Sequence, residues 1–239
     1  MKKTNNGGKY ILGLAVAILL PLSFYIIAKV LKKDKINMPR YYVADGVDSQ
    51  LVDGKMKYDT LFHKAAELNA INQFGDHVGI NKDLEGKIVV VNFFFTTCPS
   101  ICPQLTRNVK MLQNAFRPTP MKKNDKAVHF VSITVNPERD TVHALYEYAK
   151  RYNADMNSWW FLTGDKQALY NYARKELHVV APEGNGGVDD FIHTQQLVLL
   201  DADRNIRGYY NGLDSLEVGK CAYDIGQLNM EKKHLAAKK

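Results

Sequence analysis

Residues 88–103 read IVVVNFFFTTCPSICP, and this stretch decides the fold. Positions 88–95 are apolar at odd and even positions alike, apart from one asparagine. This pattern is typical of a strand buried on both faces at the centre of an α/β sheet. Pro103 then opens a series of apolar residues at helical spacing, namely Leu105, Val109, Leu112 and Phe116. The stretch therefore predicts a central strand, a short loop and a helix.

Two cysteines, Cys98 and Cys102, lie at the predicted junction of this strand and helix. Backbone N–H groups and the helix dipole stabilise a thiolate at a helix N-terminus. Proline suits the first turn of a helix and disfavours the helical conformation for the residue before it. Because Pro103 follows Cys102, we expect the pair on the loop and the start of the helix. A thiolate pair there serves a soft metal or a disulfide partner.

The rest of the chain continues the alternation of strand and helix. Strands are predicted at 128–135 and 159–162, helices at 142–152 and 166–177, and a closing hairpin at 196–200 and 206–210. We expect Asp140 or Thr141 to cap the helix that begins at Val142. This order is that of the thioredoxin type, in which a redox loop follows an early central strand. The predicted fold class is α/β and thioredoxin-like.

The N-terminal segment differs from the rest of the chain. Residues 10–28 carry no charge, and 19 helical residues are enough to cross a hydrocarbon core of about 30 Å. No small-x-small cleavage motif follows, and four lysines do. We therefore expect an uncleaved, single-pass transmembrane helix in the cell inner (cytoplasmic) membrane. With the short N-terminal tail in the cytoplasm, the domain that follows lies on the periplasmic or extracytoplasmic side.

The chain is expected to divide into four segments. They are a tail, anchor and basic flank at 1–35, an extended arm or hairpin at 36–56, a thioredoxin-like domain at 57–215 and a C-terminal extension at 216–239. The net charge is +7, and the first segment supplies +6 of it through seven lysines and one aspartate. The remainder is nearly neutral, which argues against nucleic acid as a partner.

The cysteine pair raises the question of a metal. Two sulfurs are too few for a structural zinc site, but two thiolates suit Cu(I), and one added imidazole gives a set that holds copper in either oxidation state. Among the seven histidines, His129 lies in a predicted strand, and His143 and His178 lie on predicted helices, where packing or surface roles are the simpler interpretation. His193 lies between a glycine-rich segment, 182–187, and a strand at the edge where a redox loop is expected.

Four motifs, in this order, strongly resemble the SCO/SenC family. They are FFTTCPSICP at 94–103, VSITVNPERDT at 131–141, WFLTG at 160–164 and the pair His193-Thr194. The resemblance covers about residues 57–212. Proteins of this family are membrane-anchored, thioredoxin-like copper proteins that assist assembly of the dicopper CuA centre of cytochrome c oxidase.

The resemblance implies a ligand set and a partner. Cys98, Cys102 and His193 match the copper-binding residues of the family, and copper binds as Cu(I) or Cu(II). The implied function is a metallochaperone that delivers copper to the CuA-bearing subunit of cytochrome c oxidase. A copper donor protein or a thiol reductant is a further implied partner, and transfer is expected to proceed by ligand exchange with a partner thiolate.

The sequence departs from the family pattern at two places. Asn136 stands where the family usually has aspartate, and Ile192 stands where it has an acidic residue. The second departure leaves Asp189 and Asp190 as candidates for the carboxylate that orients the imidazole of His193.

A thiol–disulfide reductase that keeps the CuA-site cysteines reduced is the alternative function. Cys98 and Cys102 would then be catalytic, one attacking and the other resolving the mixed disulfide. Three residues separate them, where thioredoxins have two, and no proline follows His193, where thioredoxins have a cis-proline. The sequence leaves enzymatic activity open. The third cysteine, Cys221, is expected to be a small buried apolar residue.

Overall fold

The computed structural model describes residues 7–31, 40–52, 55–117, 128–179 and 194–236. The chain divides into two compact units, Met1–Asn37 and Met38–Lys239. The first contains helix α1, Gly7–Leu31. In the described part of the chain, no helix combines the length and the hydrophobicity needed to cross a membrane. The transmembrane part of the predicted fold is therefore not confirmed.

Two small antiparallel hairpins open the second unit. Strand β1 (Ala44–Val52) pairs with β2 (Lys55–Phe62), and β3 (Asn69–Ile71) pairs with β4 (His77–Gly79). A single helical turn, α2 (Ile80–Asp83), follows.

A five-stranded sheet forms the centre of this unit. Its strands are β5 (Ile88–Phe94), β6 (Val128–Thr134), β7 (Trp159–Leu162), β8 (Gln196–Leu200) and β9 (Ile206–Asn211). Their order is β7-β6-β5-β8-β9, with the first three parallel and the β8–β9 hairpin antiparallel to β5. Every residue of β5 is buried, as expected of a central strand. The α/β, thioredoxin-like topology is confirmed.

Helices follow each of the parallel strands and the final hairpin. They are α3 (Ile101–Ala115), α4 (Val142–Arg151), α5 (Lys166–Asn171) with a π-helical turn (Tyr172–Glu176), and α6 (Ser215–Ala236). Helix α3 begins two residues before Pro103, because backbone N–H groups in a first helical turn have no intrahelical partner and proline is tolerated there. Thr141 caps α4 by accepting the N–H of Ala144 at 3.3 Å.

The alternation of side chains along β5 divides the core into two layers. Val89, Val91 and Phe93 belong to one layer. Ile88, Val90 and Phe94 belong to the other, in which they pack with α3 and α6. Helix α6 contributes Val218, Cys221, Ile225 and Leu228 to that second layer. Cys221 is fully buried, as the sequence predicted. The C-terminal helix thus completes the core on the side of the sheet that carries α3.

Candidate functional site

The two cysteines lie at the C-terminal end of the central strand. Cys98 is half-buried in the loop between β5 and α3, where its N–H donates to the carbonyl of Phe95 at 3.2 Å. Cys102 lies in the first turn of α3 and is 4% exposed. The positions predicted from the prolines, a loop and the start of a helix, are therefore those that the structure shows.

The two thiols are close enough to hydrogen-bond, and their environments shift their pKa values in opposite directions. At Cys98, burial disfavours the thiolate, but the N–H and thiol of Cys102 and the N–H and hydroxyl of Ser100 donate to it and lower its pKa. The hydroxyl oxygen of Ser100 lies 3.9 Å from the sulfur of Cys98. At Cys102, burial raises the pKa to about 12, and the hydrogen bond to Cys98 and the charge of Asp140 act in the same direction. Cys98 is thus the more acidic thiol of the pair, and Cys102 is the less acidic one.

A buried carboxylate supports the cysteine loop. Asp140 is fully buried and accepts the N–H of Thr96 at 3.1 Å and the hydroxyl of Thr96 at 2.5 Å. It also accepts the hydroxyl of Thr134, the last residue of β6. Asp140 thereby joins the loop that precedes Cys98 to the end of the neighbouring strand. Sequence reasoning assigned Asp140 only to helix capping, although the C-terminal ends of parallel strands share one edge of a sheet.

Hydrogen bonds through Gly212 link the segment that precedes β8 to α3, close to the cysteines. Gly212 donates its N–H to the carbonyl of Gln195 at 2.8 Å, and its own carbonyl accepts the side-chain amide of Asn108 at 2.7 Å. A Cβ at Gly212 would overlap Leu105 and lie 3.0 Å from the carbonyl of Gln195. Gly212 therefore links residue 195, through two hydrogen bonds, to Asn108 of α3, which lies within two turns of Cys102.

The third predicted ligand falls in a part of the chain that is not described. His193, Asp189 and Asp190 lie within residues 180–193, outside the described residues, and the described chain resumes at Thr194. Among the residues that the structure does describe, no group of three or more histidine, cysteine, aspartate or glutamate side chains is arranged to hold a metal ion.

The histidines assigned to packing or to the surface have environments that agree with those roles. His129 is buried in β6 with its ring 4.6 Å from that of Trp160, and burial lowers its pKa to about 3. His143 is exposed on α4. His178 is exposed as well, but its predicted helical position is wrong, because the helical segment ends at Glu176 and His178 has a φ of 48°. Asn136, the departure from the family pattern, is buried and donates its N–H to the hydroxyl of Thr134 at 3.0 Å.

Comparison with known proteins places this arrangement in a family. The model of the SCO1/SenC family matches residues 56–225, more than two thirds of the chain. The chain belongs to the SCO1/SenC family. The family relative in Bacillus subtilis (strain 168), named SCO1 protein homolog, is 29% identical over 175 residues, which are 72% of this chain and 86% of that protein. The mitochondrial SCO1 homolog 1 of Arabidopsis thaliana is 29% identical over 143 residues, and the match spans 40% of that longer protein.

Solved structures of SCO1/SenC proteins have the same fold. A family lipoprotein from Bacillus anthracis str. Ames is 26% identical, with a TM-score of 0.60 over 71% of this chain and 96% of that chain. BsSco, described as a cytochrome c oxidase assembly protein with a disulfide switch, is 26% identical, with a TM-score of 0.57 over 71% and 95%. ScoI of Bradyrhizobium japonicum, solved with copper bound, has a TM-score of 0.53 over 69% and 99%, and its 23% identity shows the fold alone.

Proposed function

We propose that this SCO1/SenC protein binds copper through Cys98, Cys102 and His193 and delivers it to the CuA centre of a cytochrome c oxidase during assembly. The observation that carries the proposal is the pair of adjacent sulfurs at the N-terminus of α3, one half-buried and one buried. Membership of the family and the copper-bound structure of a family protein support it.

The chemistry of the donor set fits copper. Soft thiolates select Cu(I), and the hydrogen bonds that Cys98 accepts favour its thiolate form. The raised pKa of Cys102 means that binding through the second sulfur displaces a proton, so copper affinity increases with pH. Gly212 connects Gln195, two residues after His193, to Asn108 of α3 by hydrogen bonds, which supports the imidazole as third ligand.

The proposal includes attachment to a membrane through residues 10–28, with the second unit on the extracytoplasmic side. Large apolar side chains along α1, from Leu12 to Ile27, are exposed, and such a surface is unfavourable in water. Lysines at both ends of the segment suit the headgroup regions.

Copper titration of the reduced full chain tests the ligand set. We expect one equivalent of Cu(I) or Cu(II) to bind, with a sulfur-to-copper charge-transfer band in the Cu(II) form. Substituting His193→Ala should abolish stable Cu(II) binding and leave the fold intact. The matched control is His143→Ala, which removes an exposed imidazole on α4. A full-strength charge-transfer band in the His193→Ala variant would contradict the assignment of that ligand.

Thiol reduction is the second candidate function, and the acidity difference between the cysteines favours it. A half-buried, more acidic thiol beside a buried, less acidic one is the arrangement in which one sulfur attacks a disulfide and the other resolves the mixed disulfide. One experiment on a CuA-bearing fragment distinguishes copper delivery from thiol reduction. Stoichiometric metallation by the copper-loaded protein supports delivery, whereas reduction of an oxidised fragment by the copper-free protein, without metal transfer, supports the reductase.

A further inference from the structure

One imidazole connects the β1–β2 hairpin to the π-helical turn that follows α5. His63 directly follows β2, and its side chain is 16% exposed. Its Nδ1 lies 3.2 Å from a carboxylate oxygen of Asp45. Its Nε2 lies 3.1 Å from the carbonyl oxygen and 3.4 Å from a carboxylate oxygen of Glu176. The contacts of His63 with these two acidic residues are defined here as the His63 link.

The backbone departs from regular geometry at each residue that faces the imidazole. Asp45 is the extra residue of a β-bulge, since the pairing of β1 with β2 shifts between Ala44 and Gly46. Glu176 is the last residue of the π-helical turn. His178, whose ring meets the imidazole edge to face at 5.1 Å, has a left-handed φ of 48°. Bulges redirect side chains, and π turns and sparsely populated φ values cluster at functional sites.

Both ring nitrogens of His63 face hydrogen-bond acceptors. An ionised carboxylate and a carbonyl oxygen accept hydrogen bonds and cannot donate them. A neutral imidazole carries one N–H, so it donates to one of these neighbours and points a lone pair at the other. The imidazolium form carries an N–H on each nitrogen. The complete His63 link therefore needs the charged ring.

We propose that the His63 link is a pH-sensitive attachment of the hairpin, closed when the ring is charged and open when it is neutral. Imidazoles titrate between about pH 5 and 8, above the usual range of carboxylates. Because closure requires the second ring proton, the link is present at low pH and is lost as the pH rises. The link contains none of the proposed copper ligands and does not depend on the proposed copper function.

The two partners of His63 differ in how firmly they are held. The carboxylate of Glu176 also accepts the N–H of Ala66 at 2.8 Å, and the side chain of Glu176 is 27% exposed. The side chain of Asp45 is 56% exposed, so water can replace its contact with the ring. Loss of the proton therefore leaves the N–H on Nε2, which donates to Glu176, and releases Asp45.

The titratable groups that face His63 come from each element packed against it. Asp45 belongs to β1, Glu176 to the π-helical turn, and His178 to the residues after that turn. The two carboxylates attract the charged ring, whereas a charged His178 would repel it. Both imidazoles titrate in the same pH range, so an experiment has to separate them.

Two backbone hydrogen bonds lie beside the link and report on its state. His63 donates its N–H to the carbonyl of Val43 at 2.9 Å, two residues before Asp45. Tyr42 donates its N–H to the carbonyl of Ile206, the first residue of β9, at 3.2 Å. Release of Asp45 loosens the start of β1, so both amides should exchange faster when the link is open.

Hydrogen exchange of the reduced, copper-free full chain in detergent micelles, followed by mass spectrometry from about pH 5.5 to about 8.5, tests the proposal. After correction for the intrinsic exchange rate at each pH, peptides covering residues 40–47 and 60–67 should lose protection by about tenfold as the pH rises, the size expected of one charge-assisted hydrogen bond. Peptides from β5 should show no such loss.

Two substitutions should remove the pH dependence in these peptides. His63→Gln removes the titrating ring. Asp45→Asn keeps the ring but gives it a partner in both states, because an amide accepts from the charged ring and donates to the neutral one. The matched control is His77→Gln, which removes an exposed imidazole from the β3–β4 hairpin and should leave the pH dependence intact.

His178→Asn separates the two imidazoles that face each other. Asparagine tolerates the left-handed conformation of this position, so the variant should keep both the fold and the pH dependence. Circular dichroism and the melting temperature establish that each variant is folded. Protection of the wild type that does not change with pH would overturn the proposal. A pH dependence that survives His63→Gln or Asp45→Asn, or that disappears in His178→Asn, would overturn it as well.

Discussion

The hydroxyl of Thr96 donates a hydrogen bond of 2.5 Å to the carboxylate of Asp140, a residue 44 positions further along the chain. Thr96 lies two residues before Cys98, and the same carboxylate accepts the hydroxyl of Thr134 at the end of β6. The C-terminal ends of the two central parallel strands are thus joined by one buried acceptor. This contact fixes the start of the cysteine loop.

Substituting Asp140→Asn should destabilise the protein and make Cys102 more acidic. An asparagine offers one acceptor oxygen, so buried donors lose partners, and we expect the free energy of unfolding to fall by about 2 kcal/mol. The negative charge of Asp140 helps to raise the pKa of Cys102, so its removal should lower that pKa. Urea denaturation measures the first effect, and the pH dependence of thiol alkylation measures the second.

The control for this substitution is Asp165→Asn. The Asp165 side chain caps α5 by accepting the N–H of Ala168 at 2.8 Å, and asparagine is an equally good capping residue. This variant should retain the stability of the wild type. An Asp140→Asn variant as stable as the wild type would show that the carboxylate does not support the loop.

Alkylation of the reduced, copper-free protein should distinguish the three cysteines. The lowered pKa and partial exposure of Cys98 predict that iodoacetamide modifies it first, and at a lower pH than an ordinary thiol. Burial raises the pKa of both Cys102 and Cys221 and shields their sulfurs. Mass spectrometry after digestion measures the rates. In urea, the three cysteines should react at similar rates, which provides the control. If Cys102 reacts as fast as Cys98 in the folded protein, the predicted difference in acidity is wrong.

The sequence predicted the features that depend on neighbours along the chain. The central strand was predicted from apolar residues at both odd and even positions of 88–95. The loop position of Cys98 was predicted from the proline after Cys102. The contacts of Asp140 with Thr96 could not be predicted in the same way, because the two residues meet only when two parallel strands are aligned. The relation of His193 to the cysteines stays a prediction, since that residue lies outside the described residues.

Substituting Gly212→Ala should perturb both the packing of α3 and the segment before β8. The added methyl group would overlap Leu105 and press on the carbonyl of Gln195, and overpacking of this kind costs about 1–3 kcal/mol. We expect weaker Cu(II) binding as well, because the chain two residues after His193 would shift. Gly46→Ala is the control, since no neighbouring atom lies within 4 Å of its added Cβ. Unchanged stability and unchanged Cu(II) affinity would show that the close approach at Gly212 is not required.

The opposite end of the sheet depends on a buried arginine that sequence reasoning did not single out. Arg204 lies in the turn between β8 and β9, is 4% exposed and has a φ of 69°. Its guanidinium donates to five oxygens, the carbonyls of Ile80, Leu84, Lys87 and Asp201 and the side chain of Asn81. Four of these acceptors lie more than a hundred residues away along the chain. The residues next to Arg204 in the sequence therefore do not reveal its role.

Substituting Arg204→Lys should therefore destabilise the fold without changing the chemistry of the cysteines. A lysine keeps the charge, but its single ammonium group cannot reach acceptors on several sides, and the carbonyls left unpaired should lower the free energy of unfolding by about 3 kcal/mol. The exposed Arg151→Lys variant should differ from the wild type by less than about 0.5 kcal/mol. Leu200, at the end of β8, pairs with Val89 near the start of β5, so this turn is at the end of the central strand remote from Cys98. Urea denaturation should consequently report a large loss of stability in a protein whose folded fraction still binds one equivalent of copper.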